Sequence, residues 1–139
     1  MATEFVYKRR VQFAETDLAG IVHFSWYFRY MEEAEHAMWR SLGMSIVAPG
    51  HEVGFPRVAA TCDYMAPLRF EDEVDVQIII EALNRRTIKY RCTLVRGTTT
   101  VATGSMTTAC VDKRPGEPLR AIEVPAEIAD RFRAADLLA

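Results

Sequence analysis

One segment of the chain shows a helical repeat of apolar positions, whereas most other segments alternate between apolar and polar residues. In residues 25–42, apolar or small residues recur at intervals of three and four, which predicts a long amphipathic helix. Ser25 is a candidate N-cap residue for this helix, and Gly43 is a candidate C′ residue. Trp26, Phe28 and Trp39 extend the apolar surface beyond one stripe, so we expect burial on more than one side.

Strand-like segments account for most of the remaining sequence. Alternating or β-branched runs predict strands at residues 4–13, 57–65, 74–81, 88–94 and 99–111. A loop carrying Pro49, Gly50, Gly54 and Pro56 separates the helix from the second strand, and residues 126–138 predict a short closing helix. One strand, one long helix and then a run of antiparallel strands is an α+β order. We expect a single domain over residues 1–139, with the sheet curled around the helix.

Composition and charge set limits on the function. The chain has 139 residues, is 50% hydrophobic and 26% charged, and carries a net charge of -2. This charge gives no electrostatic reason to expect nucleic acid or an anionic membrane as a partner. The N-terminal segment is polar, and no apolar run approaches the roughly 20 residues that span a bilayer. A cytoplasmic location is therefore expected.

Several familiar site chemistries have no support in the sequence. The cysteines at 62, 92 and 110 are few and widely spaced, which favours buried thiols over disulfides or a metal site. Glu33 and His36 form one ExxH pair, but a di-metal bundle site needs two such helices. Neither a phosphate-binding glycine loop nor a GxSxG motif occurs. We therefore expect neither a metal nor an organic cofactor.

Asp17 is the most informative polar residue, because it lies in a loop shortly before the long helix. An aspartate in a turn is usually structural. However, the first N–H groups of a helix have no intrahelical partner and carry partial positive charge, so they can polarise a carbonyl group. A carboxylate that the preceding loop places beside such a carbonyl can attack its carbon atom or activate a water molecule.

Asp17 belongs to a wider set of motif residues: Val11, Phe13, Asp17, Ala19-Gly20-Ile21-Val22, Tyr27, Arg29, Gly43, the pair Arg85-Arg86 and the C-terminal segment Leu119-Arg120-Ala121-Ile122-Glu123-Val124-Pro125-Ala126. This set resembles the 4-hydroxybenzoyl-CoA thioesterase family of hotdog-fold proteins. It implies a hotdog fold, in which a five-stranded antiparallel sheet wraps around one long central helix. It also implies at least a homodimer, with a homotetramer favoured.

The same resemblance implies an enzyme that hydrolyses an acyl-CoA thioester, with an aromatic, hydroxybenzoyl-like acyl group favoured. Asp17 would be the nucleophile or the general base, and the backbone N–H of Phe24 would hold the oxyanion. The implied substrate contacts are Gly20, His23, Tyr27, Glu32, Arg85, Arg86 and Arg120. Glu32 corresponds to an acid that binds the substrate phenol in the family, and the arginines correspond to positions near the CoA phosphates. For these arginines, ordinary surface charge at a hairpin is the alternative.

Two rival functions are compatible with the fold. Hotdog enzymes that hydrate or dehydrate an enoyl thioester use a His and an acid together, but their HFPG-type motif is absent here. A non-catalytic acyl-CoA-binding module is the other rival. It would be favoured if Asp17 were held in an ion pair or a cap and could not face a pocket.

Overall fold

The computed structural model describes residues 3–47 and 52–139. In chain order its elements are β1 (Phe5–Arg10), α1 (Ser25–Ser41), β2 (Val53–Gly54), β3 (Arg57–Tyr64), β4 (Glu73–Leu83), β5 (Thr87–Arg96), β6 (Thr99–Ala109), β7 (Val111–Asp112), β8 (Arg120–Ala121) and α2 (Ala126–Ala134). The main sheet is antiparallel and has the strand order β1-β4-β5-β6-β3. The predicted α+β class and five-stranded sheet are therefore confirmed.

Helix α1 packs its apolar face against this sheet, as the helical repeat predicts. Its buried residues are Tyr27, Tyr30, Met31, Ala34, Glu35, Met38 and Trp39. Close approach depends on Gly104 in β6, where an added Cβ atom would lie 2.7 Å from Met31 Sδ and 2.7 Å from the Thr61 carbonyl oxygen. A larger residue at position 104 would have to displace the Thr61 backbone of β3 as well as the end of the Met31 side chain.

The two ends of α1 compare differently with the predictions. Ser25 is not the N-cap residue, because Phe24 holds that position and already has helical angles. The Ser25 hydroxyl instead lies 2.8 Å from Nδ1 of His23. At the other end Gly43 is the C′ residue, as predicted, with φ of +76°. Its N–H donates to Arg40 and that of Met44 donates to Trp39, which is the Schellman pattern.

Three predicted boundaries are wrong, the first because a local 3-10 turn follows the strand and the other two because the chain turns to long-range backbone partners. Strand β1 stops at Arg10, and the chain forms a 3-10 turn at Phe13–Glu15. The predicted strand 99–111 breaks at Cys110, whose N–H donates to the Arg86 carbonyl oxygen. Helix α2 ends at Ala134, and Leu138 then lies beside Ile80 of β4.

The predicted loop after Gly43 is only partly seen. Pro49 and Gly50 lie outside the described residues, and Gly54 belongs to β2 rather than to the loop. A small second sheet, which the sequence did not predict, has the strand order β2-β7-β8. No helix in the described ranges is long and apolar enough to cross a membrane.

Strand β3 lies at one edge of the main sheet and pairs only with β6 among the described strands. Its side chains are largely exposed on both faces, including Val58, Ala59 and Ala60. An unprotected apolar edge of this kind readily pairs with another chain.

Candidate active site

The loop that carries Asp17 is closed by its own hydrogen bonds. The Asp17 N–H donates to the Ile21 carbonyl oxygen at 2.9 Å, and Thr16 and Val22 form an isolated antiparallel bridge. The Ala19 N–H donates to Asp17 Oδ1 at 2.8 Å, which is a local turn bond. Among the described residues, Asp17 forms no ion pair. Its carboxylate is exposed, and the turn bond occupies only one of its oxygen atoms.

Gly20 completes this turn. Its N–H donates to the Asp17 carbonyl oxygen at 2.9 Å, and its φ of +78° is in the left-handed region that favours glycine. An added Cβ atom would meet no other atom within 4 Å, so the backbone conformation rather than space requires glycine here. The structure thus gives Gly20 a role in shaping the loop, and its contact with substrate stays a prediction.

Phe24 directly precedes the first residue of α1 and lies close to the Asp17 loop. No residue that the structure describes accepts a hydrogen bond from the Phe24 N–H. Its carbonyl oxygen is occupied, because the Tyr64 hydroxyl donates to it at 2.9 Å. An unpaired N–H at the start of a helix is a suitable donor for a developing oxyanion.

A cavity of about 480 Å³ opens beside Asp17 and Phe24. Its walls are Asp17, Ile21, Val22, Phe24, Tyr27, Tyr64, Met65, Ala66 and Pro67. The Tyr27 and Tyr64 rings pack edge to face with their centres 4.8 Å apart. Burial raises the pKa of Tyr27, so its phenol stays protonated at neutral pH. The cavity therefore has one carboxylate and otherwise mainly apolar and aromatic walls.

The other predicted acyl contacts lie outside these walls. His23 is exposed, and its Nδ1 is hydrogen-bonded to the Ser25 hydroxyl. Its ring contacts the Phe24 ring at 4.5 Å between centres, with the two planes tilted by 35°. Glu32 lies further along α1, and Arg57 Nη2 is 3.3 Å from its carboxylate. Neither residue lines the cavity of a single chain. Their contact with substrate therefore stays a prediction.

Arg57 also forms an ion pair with Glu35, a residue for which the sequence predicted no structural role. Arg57 Nη2 lies 2.9 Å from Oε1 of Glu35, whose side chain is fully buried. Burial opposes the charge on Arg57, but the hydrogen bond and attraction from Glu35 outweigh it and raise the Arg57 pKa. Arg57 therefore balances a buried negative charge and holds Glu32 with the same nitrogen atom.

The three predicted phosphate contacts lie together at the far end of the sheet. Arg85 and Arg86 lie in the turn between β4 and β5, and Arg120 begins β8. Arg85 pairs with Glu123, and Arg120 pairs with Asp112 at 3.2 Å. Among the described residues Arg86 has no ion pair.

These arginines are distant from Asp17 in one chain. Thr87, next to Arg86, opens β5, whereas Leu94 lies level with Ala102 and hence with the cavity residue Tyr64. This separation along the strand corresponds to about 23 Å at a rise of about 3.3 Å per residue.

The thiols and the ExxH pair have structural surroundings. Cys92 and Cys110 are buried as expected, and burial raises their pKa values to about 12 and about 11. Cys62 is half-buried, and desolvation raises its pKa as well. Glu33 accepts hydrogen bonds from Tyr7 and Arg9, so its carboxylate is engaged within the fold.

Comparison with protein families decides the relationship. The family model described as the thioesterase superfamily matches residues 19–103, which include Gly20, Phe24 and most of the cavity walls. The chain belongs to the thioesterase superfamily. The predicted family and the predicted class of enzyme, a thioesterase, are confirmed.

Individual relatives are similar to this chain over nearly its whole length. A 4-hydroxybenzoyl-CoA thioesterase from a Pseudomonas species is 26% identical over 136 residues, covering 91% of this chain and 96% of the relative. Among solved structures, a hypothetical protein from Aquifex aeolicus has a TM-score of 0.85 at 32% identity, covering 92% and 98% of the two chains. A gentisyl-coenzyme A thioesterase has a TM-score of 0.82 at 29% identity, covering 91% and 98%. These similarities confirm the predicted hotdog fold.

Sequence reasoning missed the far wall of the cavity. Tyr64, Met65, Ala66 and Pro67 lie more than forty positions after Asp17, and only the sheet topology brings them beside it. It also missed Arg57, which begins β3 and contacts two acids on α1. The signal available was weak: an arginine at the start of a predicted edge strand and two acids spaced i, i+3 on the helix.

Proposed function

We propose that this thioesterase hydrolyses an aromatic acyl-CoA to the free acid and CoA, with Asp17 as the reacting carboxylate. The observation that carries the proposal is the shared cavity: Asp17 and Phe24 both line a space with aromatic walls, and the Phe24 N–H has no hydrogen-bond acceptor among the described residues. Catalysis is favoured over a non-catalytic binding module because Asp17 lines the cavity and, among the described residues, has one local turn bond and no ion pair.

The proposed chemistry needs one carboxylate and one N–H donor. The Phe24 N–H would hold the thioester oxygen as negative charge develops on it. Asp17 would then either remove a proton from water, whose oxygen attacks the carbonyl carbon, or attack that carbon itself. In the first route the carbon–sulfur bond breaks, the CoA thiolate leaves and takes up a proton, and water supplies the second oxygen of the acid. In the second route loss of the thiolate leaves a mixed anhydride with Asp17, and water then hydrolyses this anhydride to the free acid and the regenerated Asp17 carboxylate.

The aromatic preference is supported by the cavity walls and by the relatives. Tyr27, Tyr64 and the exposed Phe24 ring offer flat apolar surfaces, which suit edge-to-face or stacked contact with an aryl group. Two of the relatives described above are named for 4-hydroxybenzoyl-CoA and gentisyl-CoA, which are both CoA thioesters of aromatic acids.

A dimer through β3 is part of the proposal. Antiparallel pairing of two β3 strands about their midpoint, between Ala60 and Thr61, would place Tyr64 of one chain level with Arg57 of the other. The cavity of one chain would then lie at the same end of the sheet as the partner's Glu32 and arginines. This arrangement would bring together the acyl and phosphate contacts that are about 23 Å apart along the strands in one chain.

A substrate screen tests the proposed specificity. We expect purified protein to release free thiol from benzoyl-CoA and hydroxybenzoyl-CoA with a kcat/KM at least about tenfold above that for short or long aliphatic CoA esters. One well-placed aromatic contact of about 1.4 kcal/mol accounts for this factor. Phenylacetyl-CoA serves as the intermediate case. Equal or faster turnover of aliphatic esters would contradict the aromatic preference while leaving the thioesterase assignment intact.

A charge at the centre of β3 tests the proposed dimer. Ala60 is exposed near the strand midpoint, so Ala60→Lys would place two like charges close together across a two-fold axis. We expect light scattering at micromolar concentration to give a dimer or larger for the parent and a monomer with at least about tenfold lower kcat/KM for the variant.

The other edge strand offers the matched control. Val6 in β1 is also exposed, and Val6→Lys is expected to change neither mass nor activity by more than about twofold. A parent protein that is monomeric and fully active at micromolar concentration would exclude the composite site.

A further inference from the structure

A polar cluster lies beneath the loop that carries Asp17. Its centre is Glu15, whose side chain is almost completely buried. Glu15 Oε1 accepts hydrogen bonds from the Tyr30 hydroxyl at 2.6 Å and from the Gln12 N–H at 2.9 Å. The other oxygen, Oε2, forms an ion pair with the Arg9 guanidinium. Both oxygen atoms of this carboxylate are therefore engaged, by three partners in total.

Arg9 extends the cluster to a second acid. Arg9 Nε donates to Glu33 at 2.8 Å, and the Tyr7 hydroxyl donates to the same oxygen at 2.9 Å. The Arg9 guanidinium also lies 5.2 Å from the centre of the Tyr30 ring, a cation–π distance. We call Arg9, Glu15 and Tyr30 the Glu15 anchor. It joins strand β1, the 3-10 turn and helix α1.

The Glu15 anchor is connected to both ends of the loop that runs from Asp17 to Phe24. Glu15 is two residues before Asp17 in the chain. Its backbone carbonyl oxygen accepts a hydrogen bond at 2.9 Å from the N–H of His23, the residue directly before Phe24. One buried residue is thus connected to the segment that bears the carboxylate and to the segment that bears the oxyanion donor.

We infer that Glu15, fixed by Arg9 and Tyr30, is a positioning residue that sets the separation of the Asp17 carboxylate from the Phe24 N–H. This inference rests on the proposed function, because it concerns the geometry of those two groups. Glu15 does not line the cavity and acts only through the loop. A buried acid with three directional partners fixes a loop more exactly than apolar packing does.

The expected kinetic effect follows from geometry. A displacement of about 1 Å between reacting groups can cost about a hundredfold in rate. Tyr30→Phe removes a single hydroxyl group and leaves the Arg9 ion pair in place, so we expect kcat to fall about tenfold. Glu15→Gln removes the charge as well, and we expect a fall between tenfold and a hundredfold. KM should change by less than about threefold for both, because neither variant replaces a residue that lines the cavity.

Two controls distinguish a positioning role of Glu15 from a role in stability alone. Ile80→Val creates a small defect in the buried core of β4, far along the chain from the loop, and should lower the melting temperature without changing kcat. In the Asp17→Asn background, Glu15→Gln should lower the melting temperature as it does in the parent. Its effect on the remaining rate should be much smaller there, since the group that it positions is already absent.

The outcomes distinguish the two claims. If Tyr30→Phe and Glu15→Gln keep the parent kcat per folded molecule while Asp17→Asn loses it, the positioning role is overturned and the proposed function stands. Equal rate losses from Glu15→Gln in the parent and in Asp17→Asn would also overturn the positioning role. If Asp17→Asn itself keeps the parent rate, the proposed function fails. Should Glu15→Gln not fold, Tyr30→Phe alone decides the positioning role.

Discussion

Replacing Arg57 with methionine is expected to lower the free energy of unfolding by about 3–5 kcal/mol, the range for removing one partner of a buried ion pair. Methionine fills much of the same volume but leaves the Glu35 carboxylate without its guanidinium partner. Glu35 is fully buried, and Arg57 Nη2 donates a hydrogen bond to its Oε1 at 2.9 Å, whereas His36 Nε2 is further away at 3.7 Å. Urea unfolding at neutral pH and at one fixed protein concentration measures the change, since assembly also contributes to stability.

Two further variants attribute this loss to the buried charge. Glu32→Ala removes the longer contact of Arg57, at 3.3 Å on a carboxylate that is 41% exposed, and should cost less than about 1 kcal/mol. Combining Arg57→Met with Glu35→Met removes both buried charges and should recover most of the lost stability. An Arg57→Met variant no less stable than Glu32→Ala would contradict the role assigned to the Arg57–Glu35 pair.

Asp17→Asn is expected to lower kcat by about a hundredfold or more, the size of effect typical of removing a general base. Asparagine keeps a side-chain oxygen that can accept the hydrogen bond of the Ala19 N–H, so the turn should persist. The variant should therefore melt close to the parent and bind intact acyl-CoA. Steady-state kinetics, substrate affinity and melting temperature are measured on the same preparation.

A structural aspartate would behave differently. Loss of a capping aspartate costs about 0.5–2 kcal/mol of stability, with activity per folded molecule nearly unchanged. Asp130→Asn is the matched control, because Asp130 is exposed on α2 and contacts only Arg133 among the described residues. It should match the parent in rate.

Much of the fold follows from periodicity because its strands are half-buried. In β4 and β5 the buried positions alternate as the sequence predicts, with Val74, Val76 and Ile78 facing the core. The end of β6 was not predictable in this way, since the Cys110 N–H is taken by a carbonyl group in the turn after β4. Such a hydrogen bond leaves no mark on local hydrophobicity.

The candidate site was less accessible to pattern reasoning. Asp17 is an exposed loop residue, and alternation or charge does not separate it from any turn aspartate; the family resemblance supplied the assignment. Local patterning likewise gives no sign that Glu15 is buried, although Gln12 and Glu15 form a capping box at the start of the 3-10 turn. Burial of Glu15 beside Arg9 and Tyr30 arises from tertiary packing.

Single-turnover cleavage by parent and Asp17→Asn tests the central claim most directly. With enzyme in excess over an aromatic acyl-CoA thioester, and at a concentration high enough to bind all of it, quenched samples report breakage of the thioester bond separately from binding and product release. The account predicts complete conversion by the parent, and a rate constant lower by about a hundredfold or more for a folded variant that still binds the ester. Cleavage by folded Asp17→Asn at close to the parent rate would contradict it.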